Sequence, residues 1–177
     1  MRCEFVCGRR ALLDYSLKNS ILRQIAVSLT VGEKDVPTSL EKLFLELKDQ
    51  KRRNKKMRDK LLQFEAQKMV QAAEGLFIKE VFSEGTNDET KRLAINIING
   101  GEFIVLFGLK LENYGFLILA CSESLGIDMR DLVPIVSPLV EGKGGGSPSL
   151  VEIFTKNTEN IEKALEQAKN WGLTFTT

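Results

Sequence analysis

A long helical hairpin of coiled-coil character, followed by a compact α/β domain, is the fold that the sequence predicts. Three observations predict it. Apolar residues recur every four positions from Leu13 to Leu29; a second helical run continues from Thr38 with no glycine or proline before Gly75; and from Leu76 onward short apolar runs alternate with helical patterns to the end of the chain. Apolar periodicity separates helix from strand, and alternating strands and helices make an α/β sandwich. The boundary is placed at Gly75, so that residues 1–75 form a strand and hairpin and residues 76–177 the α/β domain.

Each element has its own local reason. Arg2–Cys7 puts Cys3, Phe5 and Cys7 on one face and Arg2, Glu4 and Val6 on the other, a strand ended by Gly8. So abrupt a strand-like opening suggests a segment before it. Leu13, Leu17, Ile21, Ile25 and Leu29, with Tyr15 and Leu22 beside them, give an amphipathic helix that stops near Thr30. Gly32 and Pro37 mark the turn. Thr38-Ser39-Leu40-Glu41 fits a capping box and starts the second helix. Along it Leu40, Leu43, Leu47, Gln50, Asn54, Met57, Leu61 and Phe64 make a heptad seam with two polar interruptions.

A helix of that span would be on the order of 55 Å long. The first helix, folded back, would cover the second as far as about Arg58, since both rise by ~1.5 Å per residue. Leu61 and Phe64 then remain uncovered and must meet the globular part or another chain, because a lone helix is stabilised mainly by burying its apolar face. They are the expected dimer seam.

Beyond Gly75 the pattern predicts a strand at Leu76–Phe82 and a helix at Asn87–Ile98 ended by Asn99-Gly100-Gly101. Phe103–Leu109 and Phe116–Cys121, joined through Glu112-Asn113, form a hairpin at the centre of the sheet, their unbroken apolar runs marking burial on both faces. Asp128–Val140 is a helix perturbed by Pro134 and Pro138. Gly142–Ser149 reads by pattern as a flexible turn, followed by a strand at Leu150–Phe154 and a helix at Glu159–Trp171.

Composition bounds the chemistry. The 177 residues include no histidine, so Ser-His-Asp and Cys-His units, His-based zinc sites and His-x-Glu deaminase centres are excluded. Cys3, Cys7 and Cys121 are odd in number and scattered, with no fourth metal ligand, as expected of a reducing compartment. No run approaches the ~18 apolar residues of a membrane span. A soluble, cytoplasmic chain without cofactor, metal or membrane partner is expected.

The net charge of +1 conceals a dipolar molecule. Lys51–Lys60 holds seven positive charges and one negative, a local +6, so the rest of the chain sums to −5. Lys51, Arg52, Arg53, Lys55, Lys56 and Arg58 on a long rod can reach a phosphate backbone by counterion release. The bland alternative is a solvated coiled-coil surface. Glycines 142 to 146 invite a phosphate-cradle reading, to which Lys143 would add one charge, but they lack the Gly-Lys-Ser/Thr ending of a P-loop. Asp128 caps a helix start and Asp131 favours the helix dipole, Cys121 closes an apolar strand as core, and Trp171 packs.

In combination, two motifs resemble those of a known family. Arg2-Cys3-Glu4-Phe5-Val6-Cys7-Gly8-Arg9-Arg10-Ala11-Leu12 is similar to the strand and helix start that follow the editing domain in alanyl-tRNA synthetases and free-standing alanyl-tRNA editing proteins. Gly144-Gly145-Gly146-Ser147-Pro148 resembles the glycine-rich loop of the DHH-associated domain, which follows a helical hairpin in that family. The resemblance implies an α/β DHH-associated domain with a mixed sheet, a tRNA partner of the alanine type, and a homodimer. Taken with a tRNA partner, the charge and glycine patterns lead to the expectation that Lys143, Gly144, Gly145 and Gly146 contact the nucleic acid together with the basic helix. The chain departs from the family in lacking the His-x-x-x-His and Cys-x-x-x-His zinc pairs of the editing centre, and Ser147 and Ser149 stand where the synthetases carry Arg and Asp. A tRNA-binding and dimerisation module, non-catalytic by itself, is therefore expected. The alternatives are a purely structural coiled-coil dimerisation module, and a DHH-type phosphodiesterase or editing hydrolase, both of which depend on His-bound metal in their families.

Overall fold

A computed structural model describes residues 7–174, so the strand expected at Arg2–Cys7 falls outside them except for Cys7, the N-cap of the first helix. The chain forms two compact units, Met1–Lys56 and Met57–Thr177, which divide inside a long helix.

The first unit holds α1 (Gly8–Leu29) and the start of α2 (Val36–Ala72). Thr30 closes α1 in the left-handed region at φ 56°, its N–H donating to the carbonyls of Ala26 and Val27. A single 3-10 turn, Glu33–Asp35, runs straight into α2 at Val36. Thr38 therefore lies inside the helix and is not its cap. Pro37 sits in the first turn, where a missing N–H is harmless. Arg23 Nε meets Glu33 Oε1 at 3.1 Å across the turn.

The expected covering of α2 by α1 does not occur. Ala26 and Val36 are buried beside the turn, but Leu17 is 62% exposed, Leu43 46% and Leu47 52%. The periods explain this. A strict four-residue repeat winds round an α-helix by about 40° per step, whereas a heptad repeat drifts by only ~20° per seven residues and in the opposite sense. Two such stripes cannot keep facing each other beyond the turn.

The second unit is built on a five-stranded mixed sheet of order β1-β2-β3-β5-β4. β1 (Phe77–Phe82) is parallel to β2 (Ile104–Lys110), with α3 (Asn87–Gly100) as the crossover. β2 and β3 (Gly115–Cys121) form the central hairpin, from Ile104 opposite Cys121 to Lys110 opposite Gly115, and are buried nearly throughout. α3 begins with a complete capping box in which Thr86 accepts from Glu89 N–H and the Glu89 carboxylate reaches back to Thr86 N–H. The predicted helix at 128–140 is divided into a 3-10 turn, Met129–Leu132, and α4 (Val133–Val140), because Pro134 is tolerated only in a first turn.

One core cluster lies on the side of α4 and α5 (Ile161–Leu173), around Leu106, Leu117, Ile153 and Leu165. The other joins Phe107, Ile118 and Ile97 of α3 to Leu62 and Ala66 of α2. The globular core thus takes the Leu62/Ala66 face of α2, not the predicted seam, and leaves Leu61 61% and Phe64 69% exposed.

Gly142–Ser149 holds the clearest correction to the expected elements. Lys143–Ser147 is not a flexible turn but an edge strand, β4, paired antiparallel with β5 (Leu150–Thr155), Gly145 opposite Glu152. Its three glycines gave no apolar alternation from which a strand could be read.

Candidate nucleic-acid interface

Lys51, Arg52, Arg53, Lys55 and Lys56 are all exposed on α2. They are not equivalent. Arg53 Nη2 is paired with Asp49 Oδ2 at 2.7 Å, whereas Lys51, Arg52, Lys55 and Lys56 have no ion pair among the described residues. In the second unit Arg58 Nη1 is held at 2.7 Å by Glu89 Oε1, and Arg92 Nη1 meets Asp59 Oδ1 at 2.8 Å. The predicted basic set therefore contains four freely offered cations and two that are already partnered.

Within the second unit, β4 forms one wall of a groove of about 990 Å³ whose other side is α3, through Lys91, Ile95, Ile98 and Asn99. Lys143, Gly144, Gly145 and Gly146 all line it. The three glycines have different reasons to be glycine. A Cβ at Gly144 would run into the Glu152 carbonyl, and one at Gly146 into that of Leu150, so both allow the strands their close approach. A Cβ at Gly145 would meet nothing within 4 Å. Packing leaves room for a side chain there, yet the backbone is bare, on an edge strand that has a partner on one side only.

Glu152 projects from β5 into this groove and is neutralised there, accepting from Asn87 Nδ2 at 2.7 Å and lying 3.1 Å from Lys91 Nζ. Lys143 has no ion pair among the described residues. At the end of the sheet Tyr114, Phe116 and Phe154 form a ring cluster, with Phe116 and Phe154 centroids 5.4 Å apart and Tyr114 to Phe154 6.1 Å. Sequence reasoning did not single out these rings, Lys91 or Glu152. The available signal was the pair of strands carrying Phe116 and Phe154; what was lacking was the register that sets them side by side.

The remaining candidates are structural. Asp128 accepts from Arg130 N–H at 2.9 Å and so caps its turn, and its side-chain hydrogen bonds to the Arg130 guanidinium hold the carboxyl below its ordinary value. Cys121 is buried with its Sγ 3.1 Å from the Ile127 carbonyl, and burial first, then the Asp128 charge, pushes the thiol up. Trp171 packs against the core. No group of three His, Cys, Asp or Glu that could hold a metal ion occurs among the described residues.

The fold is shared with a solved structure. The C-Ala domain from Aquifex aeolicus alanyl-tRNA synthetase superposes on 53% of this chain and 87% of its own with a TM-score of 0.50, at 18% identity. In sequence the chain is similar to alanine–tRNA ligases over almost its whole length: 28% identical over 170 residues, 93% of this chain, to that of Methanosarcina barkeri. It is 26% identical over 170 residues, 96% of this chain, to that of Aliarcobacter butzleri. The resemblance carried by the opening motif and the glycine segment therefore holds. The chain spans 18% and 19% of the length of those two relatives. No protein-family profile matches it.

Proposed function

We propose that this chain is a tRNA-binding and self-associating module of an alanyl-tRNA synthetase-related protein, without catalytic activity of its own. Similarity to alanine–tRNA ligases over 93% of the chain carries this reading, and the exposed, unpaired cations of α2 supply its mechanism. Lys51, Arg52, Lys55 and Lys56 meet phosphates, while Arg53 and Arg58 contribute less because Asp49 and Glu89 already hold them. Lys143 and the bare backbone of Gly144–Gly146 form a second contact. Changing Lys51, Arg52, Lys55 and Lys56 together to Ala is expected to weaken tRNA binding at moderate salt by at least tenfold, while the same change at Arg53 and Arg58 has a smaller effect. Unchanged binding by the fourfold variant in a filter or anisotropy titration refutes the assignment.

The exposed apolar residues favour a second, compatible reading, pairing of two chains through α1 and α2. Leu43, Leu47, Leu61 and Phe64 stand in water in a single chain, and helices of this kind are stabilised by burying them. Sedimentation is expected to show a dimer that Leu61→Asp with Phe64→Asp disrupts. A monomer at every accessible concentration removes this reading and leaves the first intact.

A further inference from the structure

We propose that Tyr114, Phe116 and Phe154 form a stacking platform for an unpaired nucleobase, with Lys143 taking the adjoining phosphate. This deepens the reading of the chain as a tRNA-binding module and rests on it for the kind of polymer bound.

Cross-strand aromatic pairs stabilise sheets, which accounts for Phe116 against Phe154, register partners on β3 and β5. It does not account for the rest. Tyr114 is 41% exposed and Phe154 40% exposed, although both touch the cluster. Three rings are thus held in mutual contact at the end of the sheet, with Tyr114 and Phe154 facing water and Phe116 partly buried beneath them. Aromatic side chains displayed on a sheet surface are a recurrent way to hold single-stranded bases, because every base has a π-face.

The surroundings favour a nucleotide over an uncharged ligand. Lys143 is the register partner of Phe154, so the cation and the ring stand side by side on one face of the sheet. The carboxylate that follows on that face, Glu152, is neutralised by Lys91 and Asn87 and does not repel a phosphate. The exposed carboxylates that line the groove, Glu102 and Glu123, belong to its other end, beside Ser122 and Gly101. Phe116 lies near one end of β3 and Cys121 at the other, a separation of about 17 Å at ~3.4 Å per residue. The groove is therefore polarised, with its free positive charge at the rings and its free negative charge at the far end. Beside the rings, the backbone of Gly145 has no side chain to keep a base or sugar away.

The test measures anisotropy of two labelled probes, a short single-stranded oligoribonucleotide and an unmodified tRNA, over a range of salt. Tyr114→Leu with Phe154→Leu keeps apolar bulk but removes the π-faces. It is expected to weaken the oligonucleotide between about fivefold and about a hundredfold, with the salt slope unchanged. Tyr114→Phe with Phe154→Tyr restores binding, and Lys143→Gln lowers the slope by about 0.7. Tyr114→Leu alone, at a half-exposed site where folding is unaffected, gives at least about a twofold loss. Wild-type affinity in both leucine variants, or no oligonucleotide binding by the native chain, overturns the platform. A tRNA affinity that ignores salt, together with an oligonucleotide affinity that still needs the rings, overturns the reading of the basic helix and leaves the platform standing.

Discussion

The two units of this chain treat their apolar residues in opposite ways. In the second, Leu106, Phe107, Leu117 and Ile118 are fully buried between helices on both faces of a sheet. In the first, Leu13, Leu17, Leu43 and Leu47 are exposed on helices whose repeats are out of step. Apolar content is therefore no guide to self-sufficiency; what matters is whether the chain supplies a cover with a matching period. The sheet unit carries its own cover, and the helices of the first unit leave their apolar faces without one in the single chain.

The largest predicted effect breaks this comparison if it fails. Phe107→Ala removes a fully buried ring that also makes an edge contact with Phe82 at 5.2 Å, at a cost of about 3–5 kcal/mol. Leu43→Ala in a dilute, monomeric sample changes stability by less than ~0.5 kcal/mol, the range of exposed positions. Urea denaturation measures both, and similar losses would show that the first unit buries Leu43 after all.

Next in size is a contrast inside β4. Gly144→Ala or Gly146→Ala must push apart two strands, which costs about 1–3 kcal/mol. Gly145→Ala has open space before it and leaves the denaturation midpoint nearly unchanged. If it nonetheless weakens tRNA binding, the bare backbone at 145 belongs to the contact; equal destabilisation by all three would remove that distinction.

Smaller still, Thr86→Ala removes the cap of α3 and costs about 1 kcal/mol. The smallest effect concerns pH. Asp128 has its carboxyl held low by Arg130, so its contribution is present above the unfolded value of about 3.9 and is lost as pH falls through the lowered folded value. Asp128→Asn should therefore lower stability slightly at neutrality, flatten the fall below pH ~4, and match the native chain once the carboxyl is protonated. A steeper acid limb in the variant contradicts the assignment.

Much of the second unit was legible because its residues obey one period at a time. Phe103–Leu109 and Phe116–Cys121 are uninterrupted, and Asn87–Ile98 ends in two glycines, so hairpin and helix fall where the pattern puts them. The failures have physical causes. β4 is a strand by virtue of its partner, since its three glycines have no side chains to alternate, and at Gly144 and Gly146 only glycine allows the approach to β5. On α2 the heptad seam was visible, but the globular core selects the neighbouring stripe at Leu62 and Ala66, a choice made by tertiary packing. The basic run was legible as charge, whereas its division into free and paired cations depends on Asp49, which is near in sequence, and Glu89, which is not. The ring cluster was invisible because register, not spacing, assembles it.

The central claim is that the chain grips tRNA through unpaired cations, and the salt dependence of the affinity tests it most directly. With about five phosphates engaged by Lys51, Arg52, Lys55, Lys56 and Lys143, log affinity against log salt should fall with a slope on the order of −3.5 to −4.5. The variant with Lys55 and Lys56 changed to Ala should lose just under one for each. A slope near zero, or one that the variant leaves unaltered, would contradict the account.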